Sequence, residues 1–134
     1  MNGSVPQRGF SLVELLMIML IIGILATIAV PLLMSARKSS LDEKARASVR
    51  VVLTAEQSYY SEIGEYGSLS DLVNANPPYL DQRFAGGTGV LENNLVITLV
   101  VTSGGEGFNV AATNPGGTKG FTSNERMTII AVLN

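Results

Sequence analysis

The chain has 134 residues, room for one small domain and an anchor, and its net charge of −2 comes from 9 basic and 11 acidic side chains. That balance argues against an overall basic nucleic-acid binder, so no nucleic-acid partner is expected. It has no Cys and no His, so no disulfide, thiol nucleophile, imidazole base or thiolate or imidazole metal ligand is available.

The first informative stretch is Arg8-Gly9-Phe10-Ser11-Leu12-Val13-Glu14-Leu15-Leu16. A basic residue and a glycine precede a long apolar run, and one carboxylate, Glu14, lies inside it. A charge at the centre of a membrane helix costs roughly 2.5–3.5 kcal/mol on insertion scales. Glu14 sits near the N-terminal end, where the cost is lower, but it still calls for a partner. A helix N-terminus carries partial positive charge and a free amine adds a full one. A helix starting at Phe10 puts Glu14 about one turn inside.

Leu15 to Met34 follows as 20 residues with no charge. At about 1.5 Å per residue they span about 30 Å, the hydrocarbon thickness of a bilayer. Gly23, Thr27 and Pro31 are its soft points, with Gly23 and Pro31 the expected kink positions. Arg37 and Lys38 follow directly. A secretory signal would have a shorter core and a small-x-small cleavage site, for which only Ser35-Ala36 offers a weak match. Counting charges on either side of the run leaves its orientation undecided.

The helix is predicted to continue to Ile63. Leu41, Ala45, Val49, Val52, Ala55, Tyr59 and Ile63 recur at spacings of three and four, one apolar stripe, with Lys38, Asp42, Glu43, Arg46, Arg50 and Glu56 mostly off it. Phe10 to Ile63 is then one helix of about 80 Å. Gly64 is its expected stop, and Tyr59, Tyr60 and Tyr66 read as aromatics closing a small core. Ser68 to Val73 is expected to form a helical turn capped by Ser68 or Ser70, broken by Asn76-Pro77-Pro78.

Phe84 to Asn94 is glycine-rich and reads as loop. Its Gly86-Gly87-Thr88-Gly89 lacks the Lys and the strand-to-helix setting of a phosphate cradle. Three strands are expected: Leu95–Thr102, Gly107–Thr113 across a hairpin-type connection, and Met127–Leu133. Asn114–Arg126 between the last two reads as a long polar loop. No catalytic constellation is found, and the expectation is not an enzyme, with no cofactor.

The segment Gly9–Pro31 resembles the class III signal of type IV pilins and the type II secretion pseudopilins, with Gly9, Phe10, Glu14 and the flanking aliphatics in register. The resemblance is specific there and generic beyond. It implies a leader over 1–9 cut after Gly9 by a prepilin peptidase, which also N-methylates Phe10. It implies a membrane-embedded and later filament-core half-helix over 10–34, and a globular domain over 35–134. Glu14 would compensate the terminal amine of a neighbouring subunit during assembly. The fold implied is α+β and pilin-like, a long N-terminal helix packed on a small antiparallel sheet of about three strands. The partners implied are other pilins in a filament, inner-membrane assembly machinery, and a lipid bilayer before assembly. The leader would face the cytoplasm and the globular part the outside, as a bacterial inner-membrane precursor that becomes a surface filament or a periplasmic pseudopilus.

Two departures from the family are visible. Many pilins close a C-terminal loop with a disulfide, and this chain has no Cys. The major pseudopilins carry a calcium site in that loop. Here Asn114, Ser123, Asn124 and Glu125 supply no Asp, so no metal site is expected and a pilus subunit is preferred to a pseudopilin. The reading from another class is an uncut, single-pass module displaying a small sheet domain for binding or adhesion.

Overall fold

A computed structural model describes residues 9–85, 89–91 and 94–133. Residues 1–8 of the expected leader and Gly86-Gly87-Thr88 of the expected glycine-rich loop lie outside the described residues. The chain divides into two units after Ala36.

The long helix α1 runs from Leu12 to Ile63, continuous through Gly23 and Pro31. It starts two residues later than expected, for a local reason given below. In the first unit every described residue is exposed, including Leu16, Leu20, Ile24 and Leu33. Gly64 ends the helix as expected. It adopts φ +86° and its N–H donates to the Tyr60 carbonyl at 2.9 Å, the left-handed stop that glycine takes without Cβ strain.

In the second unit, Ala45, Val49, Val52, Leu53 and Ala55 of α1 are buried. Helix α2, Leu69–Asn74, adds Leu69, Leu72 and Val73 to the same core. Ser68 caps it, with its hydroxyl and the Asp71 carboxylate each accepting from the other's backbone N–H. The Asn76–Pro77 peptide is cis. A short 3₁₀ turn, Gln82–Phe84, buries Phe84.

Five antiparallel strands complete the unit: β1 Gly89–Leu91, β2 Leu95–Val101, β3 Phe108–Thr113, β4 Lys119–Asn124 and β5 Ile130–Leu133, in spatial order β1-β2-β3-β4-β5. Leu95 and Ile97 of β2, Phe108, Val110 and Ala112 of β3, and Phe121 of β4 face the core. This is the expected α+β architecture with more strands than the three expected. β1 lies in the segment read as glycine-rich loop. β4 lies inside the segment read as polar loop. It carries one large apolar side chain, Phe121, among Gly, Thr, Ser and Asn. Its pairing comes instead from neighbours on both sides, with Phe121 opposite Ala112 on β3 and Ala131 on β5. β5 starts three residues later than expected because Met127 turns the chain with φ +60°, its N–H donating to the Asn124 carbonyl at 2.9 Å.

Two acids expected off the apolar stripe are buried. Asp42 is 7% exposed. It accepts from the Thr118 N–H at 2.8 Å, the Thr118 hydroxyl at 2.6 Å and the Lys119 N–H at 3.1 Å, tying α1 to the start of β4. Burial raises its pKa, but these three hydrogen bonds and the Lys119 charge outweigh burial and hold it below the usual carboxylate value. The turn Asn114–Gly117 presents these donors. A Cβ on Gly117 would overlap Asp42 Oδ1, so a side chain there must push the carboxylate out of place.

Glu56 is fully buried. Its Oε2 accepts from the Gly67 N–H at 3.2 Å, while Oε1 has no hydrogen-bond partner among the described residues. Burial pushes its carboxyl up to about 7, against the pull of the Gly67 N–H, and Asp71 adds to the rise.

Candidate functional site: the N-terminal segment

Gly9 and Phe10 precede α1 outside any regular element, and both are exposed, Phe10 at 76%. A Cβ built on Gly9 would meet nothing within 4 Å. The helix begins next to it because of Ser11 and Glu14. The Ser11 carbonyl accepts from the Leu15 N–H at 3.2 Å, the first turn of the helix. The Ser11 N–H, which has no helical acceptor, donates to Glu14 Oε2 at 3.0 Å. An acid three residues into a helix, reaching back to the capping residue's N–H, is half of a capping box, and it places negative charge where the helix dipole is positive.

Glu14 therefore has a partner within its own chain, one that keeps Gly9 and Phe10 out of the helix. Ser11 was missed as part of this site, although Ser11-x-x-Glu14 before an apolar run is the legible signal for it. Gly23 and Pro31 lie farther along α1 and are not brought to this site. Pro31 has no N–H to give the Thr27 carbonyl, and the Thr27 hydroxyl donates to the Ile24 carbonyl at 2.7 Å.

From this point the helix presents an unbroken apolar surface with one carboxylate at its head. Among the described residues, no three His, Cys, Asp or Glu side chains are grouped to hold a metal. Ser123 and Asn124 are in β4 rather than in a loop with Asn114 and Glu125.

Residues 5–30 match the family model of the prokaryotic N-terminal methylation motif. Over part of its length the chain is similar to a type IV pilin. It is 34% identical over 71 residues to the type IV major pilin protein PilA of Myxococcus xanthus, an alignment covering 53% of this chain and 32% of that protein. The chain thus spans about a third of the length of that relative. Helix α1 is long and apolar enough to cross a membrane.

Proposed function

We propose that this chain is a subunit of a type IV pilus-like filament. It is made as a precursor with a leader over 1–9, cut after Gly9, N-methylated on Phe10, and polymerised through its N-terminal helix with 10–34 in the filament core and 35–134 as the globular domain. The observation that carries this reading is the exposed apolar surface of α1 from Leu12 to Met34, headed by Glu14. Covering a large aliphatic side chain is worth about 1.5–3 kcal/mol. That many uncovered side chains need lipid first and neighbouring helices afterwards.

Cleavage gives Phe10 a free amine four residues from Glu14. The carboxylate then exchanges the Ser11 N–H for a full positive charge, its own or that of a staggered neighbour. This sets the axial position of one stem against the next. Gly23 and Pro31 are the places where the stem's hydrogen bonding gives way on packing. Partners in this scheme are other pilins, the prepilin peptidase and methyltransferase, and the inner-membrane assembly machinery. The precursor sits in the bacterial inner membrane with its globular part outside, and the product is a surface filament. The pilus is favoured over a secretion pseudopilus because the oxygen donors of 114–126 do not converge. Thr118 is turned onto Asp42, and Ser123 and Asn124 are in strand β4.

Intact-mass and N-terminal peptide analysis of the protein from its native membrane tests the reading. A chain beginning at methylated Phe10 is the expected result. A chain still beginning at Met1 in cells with an active prepilin peptidase overturns it in favour of an anchored binding module. Gly9→Val is expected to leave the precursor at full mass.

A further inference from the structure

The globular unit buries two acids, and they are served very unequally. Asp42 accepts three hydrogen bonds from Thr118 and Lys119. Glu56 has no exposed surface at all and accepts one, from the Gly67 N–H at 3.2 Å. Its second oxygen, Oε1, has no partner among the described residues. A buried carboxylate in that state costs several kcal/mol if charged, so it keeps its proton or gains water.

What separates Glu56 from water is one thin segment. Gly67 is buried, but Tyr66 and Ser68 beside it are half-buried and Glu65 is exposed. Gly67 lies flush on two side chains. A Cβ there would come within 2.9 Å of the Tyr59 ring and 3.2 Å of the Asp71 Cβ. The segment is anchored on both sides. The Tyr66 N–H donates to the Gly105 carbonyl at 3.0 Å, and the Tyr66 ring packs on Tyr60 and Phe108. Leu69 and Leu72 hold α2 in the core. Between these anchors, the Gly67–Glu56 bond is the one hydrogen bond to α1 among the described residues.

The titratable groups around this contact are Tyr59 of α1, Tyr66 of the linking segment and Asp71 of α2, with Glu125 acting on Tyr66 from the sheet side. Asp71 carries the same charge as an ionised Glu56 and sits in the cap of α2, accepting from the Ser68 N–H at 2.8 Å. The Gly67 N–H favours the charged form of Glu56, but one amide does not replace the water a buried charge has lost.

We infer that Glu56 is a proton-operated latch. Protonated, it fastens Gly67 and the cap of α2 to α1; on losing its proton it lets that segment lift to admit water, while the sheet stays closed. Burial pushes the carboxyl up to about 7, so the latch is shut in mild acid and released above neutrality. The inference stands apart from the filament reading, since it needs the globular unit alone.

Amide hydrogen exchange of the full chain in detergent tests it, with wild type and Glu56→Gln compared at the same pH so that intrinsic rates cancel. Over residues 67–75 the ratio of the two rates is expected to be near one at about pH 5.5 and at least tenfold at about pH 8.5, wild type being faster. Strand β3 should exchange alike in both proteins. A ratio that stays flat with pH overturns the latch. So does an equal acceleration of β3, which would mean that the whole unit loosens. If Glu56→Gln does not fold, wild type decides by itself. The infrared band of a buried protonated carboxyl should then vanish over the same pH interval in which 67–75 gains exchange relative to β3, and separate intervals overturn the inference.

Discussion

Glu14, Asp42 and Glu56 are three acids on one helix with three different fates. Glu14 is exposed at the helix head and caps it through the Ser11 N–H, and its proposed part in assembly is separable from that one. Glu14→Ala is expected to leave membrane insertion and cleavage intact and to reduce filament yield severely, counted by electron microscopy of sheared cells. Normal yield would remove Glu14 from axial register. Glu56 governs pH behaviour. Its folded pKa of about 7 lies above the ordinary 4.5, so between those values the folded chain holds a proton that the unfolded chain has released. The stability this carboxyl contributes is fully present below about pH 4.5 and is lost as pH rises through 7, by about 3 kcal/mol at most. Glu56→Gln is expected to flatten that slope and raise stability at pH 8 by about 1–2 kcal/mol, read by urea unfolding of the full chain in detergent. Parallel pH curves for the two proteins would contradict it. Asp42 has the opposite sign. Its folded pKa is lowered from 3.8, so its contribution holds above that value and disappears as pH falls through the folded one. Glu14 stands out in the sequence as a lone acid in an apolar run. Helical spacing puts Asp42 on the face of Ala45 and Val49 and Glu56 on that of Val52 and Tyr59, yet neither acid reads as buried from its residue type. Their partners are Thr118 and Gly67, far away in the chain, and helical spacing carries no trace of them.

At the level of elements, the contact between α1 and the turn before β4 concentrates three hydrogen bonds on one carboxylate. Asp42→Ala should cost about 2–4 kcal/mol, since hydrogen bonds to a charged acceptor are worth more than neutral ones and the Thr118 and Lys119 donors lose their partner. Gly117→Ala should cost about 1–3 kcal/mol by crowding the same oxygen. The double variant should cost less than the sum, because both changes break one contact. The turn into β5 holds a different strain. Met127 is in the left-handed region, which costs an L-residue roughly 1–2 kcal/mol. Met127→Gly is expected to stabilise the chain by about 1 kcal/mol, and a loss of stability would show that the Met side chain contributes more than its backbone costs. The same turn explains an error of reading. Met127–Leu133 has strand composition throughout, but the backbone at Met127 bends before the ladder begins at Ile130. β4 was missed for the converse reason, since Gly120, Ser123 and Asn124 read as turn formers, and only pairing with β3 and β5 makes them a strand. By contrast Gly64 and Ser68 were legible because each does its work with immediate neighbours.

For the molecule as a whole, the apolar length of α1 in the first unit is uncovered among the described residues. Calcium is expected to leave the unfolding midpoint of the full chain unchanged, whereas a clear upward shift would indicate a bound ion and favour the secretion pseudopilin. The order of strands in space has a further consequence. Each strand lies beside the one made just before it, β1 to β5 without a crossover. Every pairing thus closes only a short loop, which keeps the entropic barrier to forming the sheet low. A ribosome-ordered chain can add one hairpin at a time to a nucleus already in place. The interval in which an unfinished edge is open to the wrong neighbour is then brief, even where many copies crowd one patch of membrane.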